Sequence, residues 1–242
     1  MTKAVRKRSI AKAGSTRDRN GVALTAAAPA NKIYSRLGPD LRPRSLRKYR
    51  AILEAASRTF IAQGFGPTSM DGVADAARVS KRTVYDHFEN KHTLFTAVIE
   101  TLCAEIVPPS VEQLAIDDPR IEAVLESLGN QFLKGIYSHK QIELFRTIVT
   151  DARTFPELGK LMFDGPIKHS EYVIADYFRR QAAAGKIKVS TPELAAAQFM
   201  GMLKTNLHVK LLMKPGARAA QKEIGEIAKA SVELFLHGAL KR

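Results

Sequence analysis

Apolar side chains recur at helical spacing along most of the chain from residue 44 onward. In the first segment they fall at i, i+3, i+4, i+7 and i+11, which is one face of an amphipathic helix. Their positions are Tyr49, Ile52, Leu53, Ala56 and Phe60. Gln63-Gly64 follows this face and predicts the end of the helix.

Three shorter helical segments follow. Thr68 with Asp71 resembles a capping box and predicts a second helix, and Ser80 and Asn90 are suited to cap a third and a fourth. The predicted inner faces are Met70, Val73, Ala74 and Ala77, then Val84 and Phe88, then Leu94, Phe95, Val98, Ile99 and Leu102. Pro108-Pro109 then interrupts the pattern.

The remainder of the chain is also predicted to be helical. Proline or glycine marks most of the breaks, and the expected helices cover about 119–137, 140–153, 165–185, 191–213 and 219–240. No convincing alternating strand pattern is present. We therefore predict an all-α protein with a basic arm (1–43), a smaller helical domain (44–104) and a larger helical domain (105–242).

The third segment has the properties of a helix that reads DNA. Because Val84 and Phe88 point inward, the basic and polar side chains around them must face solvent or DNA, and such a helix fits a major groove. We expect Lys81, Arg82 and Thr83 to contact mainly bases, and Thr68, Ser69, Tyr85, His87 and Lys91 mainly phosphates. The other candidate DNA-binding residues are Arg47, Lys48, Arg78 and Ser80. An alternative is that this is only a solvated face.

The segment from Lys48 to Thr101 closely resembles the DNA-binding domain of the TetR (tetracycline-repressor) family of bacterial transcription regulators. The resemblance rests on Ile52, Ala55, Ala56, Phe60, Gly64, Thr68-Ser69, Ala74, Ala77, Val79-Ser80, Thr83-Val84-Tyr85, His87-Phe88, Lys91 and Leu94. Downstream, Leu144 to Ile167 resembles the effector domain of the AefR/AcrR-like branch. The resemblance implies a three-helix helix-turn-helix DNA-binding domain at 44–104 and a larger helical domain for effector binding and dimerisation at 105–242. It also implies a homodimer that binds a pseudo-palindromic double-stranded operator, with about one DNA turn between its two reading helices.

Arg78 departs from the family pattern, which usually has glycine in the turn between the second and third helices. A positive φ costs arginine more than glycine. Either the turn adopts a different φ, or Arg78 is tolerated because it reaches a phosphate.

Charge is concentrated at the N-terminal end. Residues 1–50 hold 14 of the 38 Lys and Arg residues but only Asp18 and Asp40 among 24 acidic residues, so most of the net charge of +14 lies there. Such a segment attracts phosphate backbones or anionic lipid. We interpret residues 1–43 as a disordered basic arm; a transit peptide and a translation start further downstream remain alternatives.

Several protein classes find no support in the sequence. Cys103 is the only cysteine, which excludes an intrachain disulfide, and the six histidines are scattered without metal-ligand spacing. No glycine-rich phosphate loop, GxSxG motif or partnered carboxylate pair indicates an enzyme. No apolar run reaches the ~20 residues of a membrane span. We expect no catalytic residues, cofactor, metal or membrane association.

The last two predicted helices carry apolar stripes, which the resemblance assigns to a four-helix dimer interface. The stripes consist of Leu194, Met200, Leu203, Leu207, Leu211, Ile224, Ile227, Ala228, Ser231, Phe235 and Ala239. They could instead close the core of one chain. Candidate walls of an effector pocket are Phe132, Ile136, Phe145, Ile148, Phe163, Tyr172, Phe178, Phe199 and Met202, although aromatic stripes at helical spacing usually form ordinary core.

The resulting hypothesis is a ligand-responsive, sequence-specific transcription regulator, most simply a repressor that a small lipophilic effector releases from its operator. The resemblance implies a cytoplasmic protein that is nucleoid-associated when bound to DNA. The alternatives are an activator of the same family and a less specific nucleic-acid-binding protein that depends on the basic arm.

Overall fold

The computed structural model describes residues 43–104, 106 and 120–237. The predicted basic arm up to residue 42, the predicted start of a helix near residue 119 and the interface residue Ala239 lie outside the described residues. Within them the regular elements are helical, and no strand occurs.

The first four helices form a compact bundle with its own aromatic core. They are α1 Pro43–Gln63, α2 Met70–Ala77, α3 Lys81–His87 and α4 Lys91–Cys103. Phe60 meets Phe95 edge to face, with ring centroids 4.8 Å apart, and stacks against Phe65 at 5.8 Å. All three rings are buried, so this cluster joins α1, the turn after it and α4.

The helix ends follow the predicted signals with one correction. Gly64 ends α1 at φ +86°, and Ser80 and Asn90 cap α3 and α4 through bonds from Thr83 N–H and Thr93 N–H. The cap of α2 is Ser69, whose Oγ accepts the Gly72 N–H at 3.0 Å. Thr68, which we expected to cap α2, lies one residue too early to do so.

The second half of the described chain is a larger helical layer whose apolar core is continuous with that of the first four helices. Its helices are α5 Ile121–Ile136, α6 His139–Asp151, α7 Pro156–Met162, α8 Lys168–Ala183, α9 Pro192–Met213 and α10 Gln221–His237. Helix α9 packs along α8, and α10 packs along α5. We expected Gly165-Pro166 to open a helix, but Pro166 lies inside a wide π-helical turn, Phe163–Ile167, that joins α7 to α8.

Helix α9 is interrupted near its middle. Thr205 has φ 45° and ψ −169°, outside the helical region, and strained residues of this kind often occur at functional sites. The carbonyl just before the break, on Lys204, accepts the Tyr137 hydroxyl at 2.5 Å. Arg146 Nε donates to the Leu212 carbonyl at 2.9 Å, which ties the C-terminal part of α9 to α6.

No described helix combines the length and apolar character that a bilayer span requires.

Candidate nucleic-acid interface

The orientation of α3 is set by its two inward residues. Val84 is fully buried and Phe88 is 3% exposed. Tyr49 of α1 stacks on Phe88 with ring centroids 5.2 Å apart and meets His87 edge to face at 5.7 Å. His87 is therefore partly buried as a brace between α1 and α3. This contact leaves the opposite face of α3 directed away from the bundle.

The turn before α3 has the geometry that usually calls for glycine. Arg78 is left-handed, with φ 55° and ψ 44°, which rules out the alternative that arginine stands there because the turn takes another φ. The Arg78 N–H donates to the Asp75 carbonyl, and the Val79 N–H donates to the Ala74 carbonyl, each at 3.1 Å. This is a Schellman-type helix end. It fixes the direction in which α3 leaves α2, with the Arg78 side chain exposed.

The outer face of α3 presents one cation that is nearly free. The Arg82 side chain is 90% exposed, and its nearest carboxylate oxygen, on Asp86, lies 4.0 Å from Nε. Tyr85 is 52% exposed although it is aromatic. An extended guanidinium beside an exposed phenol can meet base edges and phosphates without first breaking an internal bond.

Lys81 is less free than Arg82. Its ammonium donates to Asp71 of α2, and this hydrogen bond raises the Lys81 pKa. If Lys81 contacted a DNA phosphate, its ammonium would exchange the Asp71 carboxylate for another anionic partner. The α3 hydroxyls are also engaged, because Ser80 Oγ and Thr83 Oγ1 lie 2.8 Å apart.

Thr68 and Lys91 both have internal roles. Thr68 is 2% exposed, and its hydroxyl donates to the Gly64 carbonyl at 2.7 Å, so the predicted phosphate contact from Thr68 is wrong. Lys91 Nζ donates to the carbonyls of Phe65 and Gly66 at 2.7 and 2.9 Å and lies 4.5 Å from the centre of the Phe65 ring. Burial lowers the Lys91 pKa. A phosphate contact from Lys91 stays a prediction. It would have to use the one ammonium N–H that these two hydrogen bonds leave free.

The other predicted residues lie at the margins of this face. Ser69 is exposed at the start of α2, and Arg47 and Lys48 are exposed on α1, next to the Tyr49 ring that braces α3. Arg78, Lys81, Arg82 and Tyr85 are also exposed, as is Ser80, whose side chain caps α3. We call the exposed residues other than this cap the reading face: Arg47, Lys48, Ser69, Arg78, Lys81, Arg82 and Tyr85.

Comparison with known proteins agrees with this geometry. Residues 52–98 match the family of bacterial regulatory proteins described as the tetR family, and residues 123–238 match the C-terminal domain of AefR-like transcriptional repressors. The chain is 31% identical over 157 residues to YhgD, an uncharacterized HTH-type transcriptional regulator of Bacillus subtilis (strain 168), covering 63% of this chain and 78% of YhgD. The chain belongs to the TetR family.

Solved TetR-family structures share the fold. A transcriptional regulator of this family from Mesorhizobium loti MAFF303099 is 31% identical with a TM-score of 0.71, covering 80% of this chain and 97% of that one. The Flavonoid-responsive Regulator FrrA is 28% identical with a TM-score of 0.59, covering 78% and 95%. The protein is therefore a helix-turn-helix transcription regulator and not an enzyme.

In this TetR-family chain the DNA-binding bundle is held to the C-terminal helical domain, which is called the effector domain after its predicted role, at the turn after α1. Asp151, at the end of α6, accepts the Phe65 N–H at 2.6 Å. The Phe155 ring lies 5.1 Å from the Phe65 ring, and His92 Nε2 lies 2.9 Å from Glu157 Oε1, a bond that lowers the Glu157 pKa. We call these contacts the domain joint. Its partners are far apart in sequence, and no local pattern indicated them.

The effector domain contains an apolar cavity of about 120 Å³. Phe132, Ile136 and Phe145 line it as predicted walls. Its other lining residues, which the sequence did not indicate, are Cys103, Ile106, Gln141, Ile142, Met162, Pro166, Ile167, Ser170, Met200, Lys204 and His208. The cavity thus lies where α5, α6, α8 and α9 meet the π turn.

The remaining predicted pocket residues lie elsewhere in the effector domain. Phe178 and Phe199 are fully buried and pack with Phe235, at centroid distances of 5.0 and 5.2 Å from its ring. Phe163 and Tyr172 are exposed, whereas Ile148 is buried and Met202 partly buried away from the cavity. None of these residues lines the cavity, because helical spacing marks a buried face but not whether that face borders empty space. Their part in an effector pocket stays a prediction.

The predicted dimer stripe mostly closes the core of its own chain. The buried members are Met200, Leu203, Leu207, Leu211, Ile224, Ala228 and Ser231. Ile227 and Phe235 are partly buried, and Leu194 is 56% exposed. The assignment of the buried members to an interface is wrong for this structure, since they already pack within the chain. Their helices instead expose four large apolar side chains, which we call the outer apolar set: Leu194, Val209, Met213 and Leu234.

Proposed function

We propose that this protein is a homodimeric, sequence-specific repressor whose reading face binds a pseudo-palindromic operator and whose effector domain binds a small lipophilic molecule that releases it. The observation that carries the DNA-binding part is the guanidinium of Arg82 on α3, which is 90% exposed and 4.0 Å from its nearest carboxylate oxygen. Arginine in this position can donate two hydrogen bonds to guanine O6 and N7. As a chromosomal regulator, it acts in the cytoplasm and on the nucleoid when bound.

The cavity supports the ligand-responsive part of the proposal. It is enclosed mostly by apolar side chains and borders α6, whose last residue, Asp151, holds the domain joint. A ligand that spreads α6 and α9 would change the joint and hence the position of the DNA-binding bundle. The ligand can shift the populations of the two arrangements only if it binds them with different affinities. FrrA, which is similar over most of the chain, is described as flavonoid-responsive.

The outer apolar set supports the dimer. Two-fold assembly brings the same surface of each copy together, and α9 and α10 expose the four large apolar side chains of the outer apolar set. Val209→Glu and Leu234→Glu should each lower the dimer fraction in sedimentation experiments, whereas Val149→Glu, which changes an exposed valine on α6, should not. A monomeric wild-type protein would contradict this part.

The central test is competition on DNA. Fragments of the source genome selected by the full-length protein should compete at least ~10³-fold better than bulk DNA at physiological salt. Arg82→Ala should cost about 1–3 kcal/mol on the selected site, and Arg218→Ala, which removes an exposed arginine of the effector domain, should cost nothing. Equal competition by bulk DNA would refute sequence-specific binding and favour the less specific binder.

Repression is tested separately with a reporter gene downstream of the selected site in its native promoter. Deleting the regulator should raise expression if the protein is a repressor. A fall in expression would instead identify an activator.

A further inference from the structure

The cavity in the effector domain has an apolar body and one basic end. Most of its lining side chains are hydrocarbon, aromatic or sulfur-containing, whereas Lys204 and His208 of α9 lie together on one wall. None of its lining residues is Asp or Glu. Positive charge at this end is therefore not balanced from within the cavity.

His208 has an unused polar atom at this end. Its ring lies between those of Tyr137 and Phe145, with centroid distances of 5.9 and 5.7 Å. The Nδ1 atom is buried and has no hydrogen-bond partner among the described residues. Burial, and then the charge of Lys204, lower the His208 pKa. An unsatisfied buried nitrogen is costly, and a ligand acceptor would offset that cost.

Lys204 places a cation beside this nitrogen. Burial lowers its pKa, and only Glu171 opposes this effect. No carboxylate in the described part of the chain lies within ion-pair distance of Lys204, and Glu171 is itself paired with Lys168 at 2.9 Å. A partly buried ammonium without a close counter-ion is destabilising. An anion bound in the cavity would remove that penalty.

The break in α9 fixes the direction of these two side chains. Thr205 lies directly after Lys204, and its non-helical φ and ψ mean that Lys204 and His208 are not related by regular helical geometry. The bond from Tyr137 Oη to the Lys204 carbonyl holds the backbone at this point. The backbone of the basic end is thus strained at Thr205 and held by a partly buried hydrogen bond, which distinguishes it from a lysine that only lies near a cavity.

We propose that the effector is an amphipathic carboxylate, whose head group binds Lys204 and His208 and whose aromatic or short alkyl body fills the space beside Phe132, Phe145 and Met200. This inference rests on the proposed ligand-responsive function and specifies its ligand. A single lysine matches a single negative charge. The small volume favours a compact ligand or one that displaces Met162 and Met200, because methionine side chains repack readily.

The experiment uses two probes of nearly equal shape, 4-propylbenzoate and 4-propylbenzamide, in calorimetric titrations of the full-length protein without DNA. The wild type should bind the carboxylate roughly 10- to 100-fold more tightly than the amide, as a charge-assisted hydrogen bond implies. Lys204→Met should abolish this preference while retaining affinity for the amide. Lys160→Met, which changes an exposed lysine of α7, is the matched control and should behave as wild type.

Equal affinity of the wild type for the two probes would overturn the inference, as would the absence of carboxylate binding up to about 1 mM. These results need no variant, so a misfolded Lys204→Met protein would not obscure them.

Operator binding measured with and without each probe separates the two proposals. Carboxylate binding that depends on Lys204 but leaves operator affinity unchanged would refute release by this ligand and leave the head-group assignment standing. Release from the operator by a neutral ligand, without carboxylate binding, would support ligand-induced release and refute the head-group assignment.

Discussion

Replacing Arg78 with glycine should stabilise the protein and lower its affinity for DNA. Arg78 has φ 55° and ψ 44°, and a left-handed conformation costs an L-residue about 1–2 kcal/mol. Glycine avoids this cost but loses more chain entropy on folding, which returns roughly 0.5–1 kcal/mol. Both capping bonds come from backbone N–H groups and persist in the variant. We expect a net gain of about 0.5–1 kcal/mol, or a rise in Tm of roughly 1–4 °C.

Arg78→Ala is the matched variant, since it removes the same guanidinium but keeps the strained backbone. Thermal unfolding followed by circular dichroism should place Arg78→Gly above both the wild type and Arg78→Ala. In DNA titrations the two variants should lose affinity equally, and the slope of log K against log salt should fall by about 1, if the guanidinium meets a phosphate. A Tm for Arg78→Gly at or below that of Arg78→Ala would refute the strain assignment. An unchanged salt slope would remove the phosphate contact.

Three further substitutions test internal contacts by chemical unfolding and DNA titration. Lys91→Met removes donors to two turn carbonyls and should cost about 1–3 kcal/mol of stability; full stability with a smaller salt slope would show that the lysine serves DNA alone. Asp151→Ala leaves the Phe65 N–H without its acceptor and should cost about 1–3 kcal/mol and reduce the effect of ligand on DNA affinity; an unaltered ligand response would show that the joint does not transmit it. Gly129→Ala puts a Cβ 3.0 Å from a Leu203 methyl and should cost about 1–3 kcal/mol, whereas Gly159→Ala has room and should not destabilise; equal stabilities would refute the close packing of α5 on α9.

The DNA-binding half was largely predictable because its signals are local. The side chains of Ser80 and Asn90 each cap a helix by accepting the backbone N–H of the residue three positions later. Gly64 adopts a positive φ, as expected of a glycine that ends a helix after Gln63. The spacing of Val84 and Phe88 correctly gave the buried side of α3. Thr68 was misassigned because two adjacent hydroxyl residues compete for one cap, and only the fold shows which of them is buried.

The effector half was less predictable because its decisive contacts join distant residues. Periodicity identifies Leu203 and Leu207 as buried but cannot say whether the same chain or a second copy covers them. For the same reason, the sequence could not distinguish the packed rings of Phe178, Phe199 and Phe235 from the residues that line the cavity. Lys204 and His208 gave no signal, because a lysine and a histidine on a helix are usually solvated. The break at Thr205 that orients them has neither proline nor glycine directly beside it.

The domain joint also has a bearing on protein engineering. A chimera that transplants residues 44–104 onto another effector domain would keep the helix-turn-helix but discard Asp151 and Phe155, which lie in the other half of the chain. Such a hybrid should recognise the operator and yet be insensitive to its new ligand. Transferring the end of α6 and the start of α7 together with the reading domain should restore the response. The module that can be exchanged is therefore defined by contacts across the chain, and not by a cut in the linker between domains.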